Sequence, residues 1–109
     1  MAKQPDTLQG TLDLLVLKTL QRGPNHGFGI TQHIQTASEG MLRIEEGSLY
    51  PALHRLERHK LIQGQWKITE NGRRARLYSL TTKGIKRLSD VEESWAILAS
   101  SIGKVLRYV

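Results

Sequence analysis

The stretch EEGSLYPALHRLERHKLI, Glu45 to Ile62, carries the pattern that decides the fold. Three of its leucines recur at positions i, i+4 and i+7, a spacing that predicts an amphipathic helix. The apolar face consists of Leu49, Leu53 and Leu56, and the opposite face carries Pro51, His54 and Arg58. One face of this helix therefore belongs to a core, and the other is available to a partner.

A proline stands near the beginning of this helix. Proline has no backbone N–H, which is harmless in a first helical turn because that N–H has no partner within the helix. We therefore expect the helix to begin at Glu46 or Gly47, so that Pro51 marks a beginning rather than a kink.

Two apolar segments precede this helix. The first predicts a helix that opens at Thr11 or Asp13 and is apolar almost all round, so that it must be covered on more than one face. Its apolar residues are Leu8, Leu12, Leu14, Leu15, Val16, Leu17 and Leu20. After the break at Gly23-Pro24, a second helix is predicted from Gly27 to Ser38. The short run MLRI, residues 41–44, fits either a small strand or an extended connector.

Two strand-like runs follow the third helix, at residues 61–68 and 75–81. Between them lies TENGRR, residues 69–74, in which Asn71-Gly72 is a strong signal for a hairpin turn. The hairpin is basic at and after its tip, where Lys67 on the first arm is followed by Arg73, Arg74 and Arg76. We expect these guanidinium groups to contact phosphates.

The C-terminal segment predicts a long helix from Lys83 to Leu106, capped by Thr82. Apolar residues recur there at near-heptad spacing, with Glu92 as the one polar interruption. They are Ile85, Leu88, Trp95, Ala99, Ile102 and Leu106. So small a domain cannot cover this stripe by itself, and pairing with a second copy of the chain would bury it.

The composition limits the class of protein. The chain of 109 residues suits a single domain at 1–109, divided into a core at 8–81 and a dimerisation helix at 82–107. No apolar run is long enough to cross a membrane, and the absence of cysteine excludes disulfides and thiolate metal sites and fits a cytoplasmic protein. The net charge of +6 suits a polyanionic partner, with nucleic acid first.

Three helices followed by a basic hairpin is the order of a winged helix-turn-helix, a mainly α fold with a small β-hairpin. In that fold the third helix enters the major groove of double-stranded DNA and the hairpin, or wing, lies along the phosphates. Gly47 allows close approach of the backbone, and the helix dipole favours a phosphate there. The candidate DNA-binding residues are Ser48, Tyr50, His54, Arg55, Arg73, Arg74 and Arg76.

The motifs GTLDLLVLKTL, HGFGITQHIQ, EEGSLYPALHRLE and RRARLYSLTTKG resemble the PadR-like family of bacterial transcriptional regulators, in particular its short, acidobacterial-type members. The resemblance extends from Gly10 to Leu106. It implies a repressor that is dimeric through its C-terminal helix and binds an inverted repeat in a promoter. It also implies that Pro51 lies at the DNA with Ser48 and Tyr50. The chain departs from the family at Phe28, where a tyrosine is usual, and in the wing at Gly72 and Leu77.

Other functions fit the residues less well. Winged helices also act as protein-interaction modules, which is the main alternative to specific DNA binding. The chain has no recognisable catalytic constellation, and we expect neither an enzyme nor a cofactor. The four histidines match no common zinc spacing, so we expect no metal. Trp95 is expected in the dimer seam, where the resemblance also suggests a site for a flat aromatic effector. Trp66 is expected to pack the hairpin against the third helix.

Overall fold

The computed structural model describes residues 7–108, with side chains from residue 10 onward. Its elements are α1 Thr7–Gln21, β1 Asn25–His26, α2 Gly27–Ala37, α3 Glu46–Arg58, β2 Ile62–Ile68, β3 Arg74–Leu80 and α4 Thr82–Arg107. The three strands form one antiparallel sheet in the order β1-β3-β2. This is the expected winged-helix arrangement with a long C-terminal helix. None of the helices in the described part of the chain has the length and apolar character of a membrane span.

The first helix begins earlier than predicted, at Thr7 rather than at Thr11 or Asp13. Asp13 does not cap the helix, because its carboxylate accepts a hydrogen bond from the Arg55 guanidinium. The prediction that this apolar helix is covered on several faces is confirmed, since α1 contacts α2, α3, β3 and α4. Leu8, which we expected in its apolar set, lies outside the residues whose side chains are described.

The third helix begins at Glu46, as predicted, and the Glu45 carbonyl accepts from the N–H groups of Ser48 and Leu49. The reason given for Pro51 was wrong, because this proline is the sixth residue of α3 and lies in its second turn. The N–H that Pro51 lacks would have bonded to the carbonyl of Gly47. The helix nevertheless continues to Arg58 without a break.

The hairpin has the predicted strands, in the register from Ile62↔Leu80 to Ile68↔Arg74. At its tip the Gly72 N–H donates to the Thr69 carbonyl at 2.9 Å, with Gly72 at φ 76. Asn71 is not among the residues with positive φ, so the turn is not a two-residue type I′ turn. Sequence reasoning missed β1, since two residues are too few to show alternation. Residues 41–44 form a connector rather than a strand.

The core gathers apolar side chains from all four helices and from the hairpin. Its buried members are Val16, Leu17, Leu20, Ile30, Ile34, Leu49, Leu53, Leu56, Leu61, Ile62, Tyr78 and Leu88. The prediction that Leu88 lies in the dimer seam was wrong, because this residue is only 1% exposed within its own protomer. The first turns of α4 lie against the core, so part of the apolar stripe on that helix is buried within the same protomer.

The start of α4 is locked against the connection between α3 and β2. Its cap is Thr81 rather than the predicted Thr82, because the Thr81 hydroxyl oxygen accepts from the Gly84 N–H at 3.0 Å. Gly84 is buried, and a Cβ built on it would lie 2.0 Å from the backbone oxygen of Leu61. Only a glycine lets the helix approach the chain this closely.

We expect Gly84→Ala to lower the free energy of unfolding by about 1–3 kcal/mol, since the new methyl group overlaps backbone that cannot rotate away. The matched control is Gly10→Ala in α1, where an added Cβ meets no atom within 4 Å. That control should stabilise by at most about 1 kcal/mol through helix propensity. Urea unfolding at one fixed protein concentration measures both, and equal stability of the two variants would contradict the assigned packing.

An ion pair joins α1 to α3 beneath the helix surface. The Arg55 Nη2 donates to Asp13 Oδ1 at 2.6 Å, and both side chains are largely covered. Arg55, which the sequence offered as a candidate DNA-binding residue, is therefore directed towards α1 and not outward. Burial raises the pKa of Asp13 above its usual 3.8, although the hydrogen bond and charge of Arg55 act in the opposite direction.

The raised pKa of Asp13 predicts a pH dependence of stability. The Asp13 carboxyl binds its proton more tightly in the folded state than in the unfolded state. Its protonation therefore stabilises the fold, and this stabilisation is fully present below pH 3.8 and is lost as pH rises through the folded pKa. We expect the stability of Asp13→Asn relative to the parent to improve from about pH 3 to about pH 6. Chemical unfolding across that range measures the difference, and a difference that moves the other way would contradict the raised pKa.

Candidate nucleic-acid interface

The exposed face of α3 presents the residues that the sequence singled out. Burial of the leucine face fixes the rotation of this helix, so that the opposite side faces outward. Ser48, Tyr50, Pro51 and His54 are all exposed there. They lie within the first three turns of α3, which is the part of a recognition helix that reaches base edges and phosphates.

The beginning of α2 lies beside Tyr50. A Cβ built on Gly27 would be 3.1 Å from the Tyr50 hydroxyl oxygen, so a larger residue at Gly27 would crowd that hydroxyl. His26 caps α2, because its Nδ1 accepts from the Gly29 N–H at 3.2 Å. The Tyr50 hydroxyl thus lies near the positive end of the α2 dipole, where an anionic group is favoured.

Two aromatic side chains are exposed on this side of the molecule. Phe28 is 67% exposed and Trp66 is 57% exposed. We expected Trp66 to pack the hairpin against the third helix, and that assignment was wrong. Its ring lies instead under two guanidinium groups, with the Cζ atoms of Arg74 and Arg76 at 4.8 and 5.4 Å from the ring centroid. These distances are within the range of a cation–π contact.

The wing arginines differ in their surroundings. Arg73 and Arg74 are exposed at the end of the hairpin. Arg76 is instead held by α3, since its Nη2 donates to Glu57 Oε2 at 2.5 Å and both side chains are only about 30% exposed. Tyr78 lies next to this pair, and burial, followed by the Glu57 charge, raises the pKa of its hydroxyl. Arg76 is therefore less available to a phosphate than the sequence implied.

A groove runs between α3 and the wing. It has a volume of about 820 Å³ and is open to solvent. Its lining includes Phe28, Tyr50, His54, Trp66, Arg73, Arg74 and Arg76. The structure thus brings five of the predicted DNA-binding residues to one groove, leaves Ser48 and Pro51 on the adjoining helix surface, and turns Arg55 towards α1.

The end of α4 is apolar and exposed. Trp95 is 49% exposed, Ile102 is 48% exposed and Leu106 is 79% exposed. Together with Leu98, Ala99 and Gly103 they line a shallow concavity of about 320 Å³. Ile85 is also exposed. Glu92, the polar interruption of the apolar stripe, accepts from Lys18 Nζ of α1 at 3.0 Å.

Sequence reasoning did not assign Trp66 to the groove, and it did not pair Glu57 with Arg76. The register Trp66↔Arg76, with the alternation of strand side chains, places both on one face of the hairpin. A predicted register could therefore have identified the stacked pair, whereas the ion pair across to α3 required the tertiary structure.

Comparisons with known proteins agree with this geometry. Residues 16–90 match the sequence model described as "Transcriptional regulator PadR-like family". A transcriptional regulator of Mycobacterium tuberculosis is 32% identical over 77 residues, which are 71% of this chain and 68% of that protein.

Solved structures give the same result. A transcriptional regulator from Clostridium thermocellum is 29% identical with a TM-score of 0.82, and the match covers 92% of this chain and 97% of that one. A PadR family transcriptional regulator from Eggerthella lenta is 33% identical with a TM-score of 0.78, covering 94% of this chain and 88% of the other. The chain therefore belongs to the PadR-like family of transcriptional regulators, a family of DNA-binding winged-helix proteins.

Proposed function

We propose that this protein is a homodimeric repressor that binds an inverted repeat in a promoter. The observation that carries the proposal is the convergence of the exposed α3 face, the α2 N-terminus and the wing arginines on one groove. Groups that read base edges and groups that bind phosphates are there combined on a single surface.

The charge on this surface suits the phosphate backbone. Arg73 and Arg74 are exposed at one side of the groove, and the dipole of α2 favours an anion at the other. Each phosphate that is neutralised steepens the salt dependence of binding by about 0.9 log units per log unit of salt. The exposed side chains of α3, among them Tyr50 and His54, would contribute the sequence preference.

The apolar end of α4 supports dimerisation. Trp95, Ile102 and Leu106 form an exposed stripe beyond the part of α4 that packs on the core. A second copy related by a two-fold axis would cover this stripe with the same stripe. The two α3 helices would then read successive major grooves, about 34–36 Å apart along the duplex. Ala99 and Ile85 belong to the proposed interface, and Leu88 does not.

The concavity beside Trp95 is also where we assign a flat aromatic effector. An indole ring that is half exposed offers a large apolar surface on which a planar molecule can stack. Such a molecule would lie between the two α4 helices, so that its binding would alter the separation of the reading heads. This assignment depends on the dimer.

The DNA assignment is tested with fragments from upstream of the protein's own operon, in gel-shift titrations with excess random DNA. Saturable binding of one fragment is expected. Tyr50→Ala should reduce the preference for that fragment over random DNA by about 1–3 kcal/mol, whereas Arg74→Met should weaken both kinds of binding and lower the salt slope by about 1. Lys86→Met, which removes a charge outside the groove, is the control. A parent protein that prefers no fragment would favour a protein-interaction module instead.

The dimer assignment is tested by placing a charge on the α4 stripe. Ile102→Glu should raise the dimer dissociation constant by about 30-fold or more, because the carboxylate would be buried without a partner. Ser100→Glu adds the same charge at an exposed position that does not line the concavity and should leave the dimer intact. Sedimentation velocity over a dilution series measures both, and a monomeric parent would contradict the assignment.

A further inference from the structure

Three residues form a continuous contact between α3 and the wing. Glu57 on α3 accepts from Arg76 on β3 at 2.5 Å, and the Arg76 guanidinium lies over Trp66 on β2. The same ring carries the Arg74 guanidinium at 4.8 Å. We infer that Glu57, Arg76 and Trp66 are positioning residues, which hold the wing at a fixed place relative to α3 and thereby present Arg74 to a phosphate. This inference rests on the proposed DNA binding.

The path of Arg76 across the sheet depends on a glycine. A Cβ built on Gly64 would lie 2.6 Å from the Arg76 Nε and 2.9 Å from its Cζ. Gly64 and Trp66 are two residues apart on β2 and therefore share one face of the strand. The missing side chain at Gly64 leaves room for the Arg76 guanidinium to contact both the indole ring and the Glu57 carboxylate.

The charges of Glu57 and Arg76 explain why the pair is better suited to positioning than to DNA binding. The carboxylate neutralises the guanidinium, and both side chains are about 70% covered, so neither is freely hydrated. A planar guanidinium bonded to a carboxylate and stacked on an aromatic ring has a fixed orientation. Arg74, which lies over the same ring, is preorganised, and less side-chain entropy is lost when it binds.

The two possible roles of the Glu57 carboxylate, as a repulsive charge or as a positioning group, predict opposite changes in DNA affinity when it is removed. The carboxylate is a negative charge beside a surface proposed to bind DNA, so its loss should raise DNA affinity if only charge matters. If the carboxylate holds Arg76, its loss frees the wing and lowers affinity. The sign of the change therefore distinguishes the two explanations.

The experiment compares Glu57→Gln with Glu70→Gln, on the promoter fragment and at one salt concentration. Glu70 lies exposed in the wing turn and also lines the groove, so its replacement removes a similar charge. We expect Glu57→Gln to lower affinity about three- to tenfold, and Glu70→Gln to leave it unchanged or raise it. Binding of the Glu57→Gln variant that equals or exceeds that of the parent overturns the inference.

Two further variants separate positioning from a general loss of structure. In an Arg76→Met background, Glu57→Gln should no longer lower affinity, because the carboxylate has no guanidinium left to hold. Gly64→Ala displaces Arg76 without changing any charge and should lower affinity about three- to tenfold, whereas Gly10→Ala should not. An undiminished effect of Glu57→Gln in the Arg76→Met background also overturns the inference.

A measurement without DNA keeps this test independent of the proposed function. In a Trp95→Phe background, Trp66 is the remaining tryptophan of the two in the chain. Glu57→Gln should then increase acrylamide quenching of its fluorescence, because Arg76 no longer covers the ring. Unchanged quenching contradicts the contact chain whether or not the protein binds DNA. A parent protein that binds no fragment, with quenching increased as expected, contradicts the proposed function alone.

Discussion

Burial of the leucine face of α3 is the constraint on which the surface of this protein depends. A helix of 13 residues is marginal by itself, and its stability comes from packing. Leu49, Leu53 and Leu56 are each almost fully buried, and each contributes about 1.5–3 kcal/mol of transfer free energy. Their spacing allows one rotation of the helix about its axis, and that rotation sends Tyr50 and His54 to the solvent. Core packing thus determines which face of α3 points outward. The side chains on that face do not contribute to the core, and they are the ones that a partner of α3 contacts.

The wing has no comparable core of its own. Its strand β2 is exposed along most of its length, and only Ile62 at its start is fully buried. Polar and aromatic contacts take over the role that leucines have in α3: the carboxylate of Glu57 reaches across to Arg76, which lies on Trp66. Such contacts are directional, and they fix orientation more than they add stability. The α3 side of the groove is therefore held in place by non-directional apolar packing, and the wing side is held by directional polar and aromatic contacts.

The order of the elements and the exposed face of α3 could be predicted because they depend on local patterns. Leucine spacing gave the helix, and the alternation on either side of Asn71-Gly72 gave the hairpin. Several of the errors occurred where a contact between distant segments decided the outcome. Arg55 bonds to Asp13 on α1 instead of facing outward, and Leu88 is buried in the core instead of lying in the expected seam. Trp66 contacts Arg74 and Arg76 at the surface. The partners of Arg55 and Leu88 lie on other helices, so no periodicity could reveal them, whereas the register of the hairpin could have placed Arg76 beside Trp66. The two residues of β1 were missed because a strand of that length has no pattern.

The stripe on α4 illustrates how one sequence pattern can serve two surfaces. A near-heptad repeat in the sequence suggests a single continuous seam. In the structure its first part is used within the protomer, where Leu88 enters the core and Glu92 pairs with Lys18. The later residues, around Trp95 and Ile102, are left exposed, as is Ile85 near the start of the helix. The helix is thus anchored at one end by the domain that carries the groove, with Gly84 in close contact with the backbone of Leu61. Because an α-helix is stiff over this length, a partner that holds the free end would also set the position of the groove.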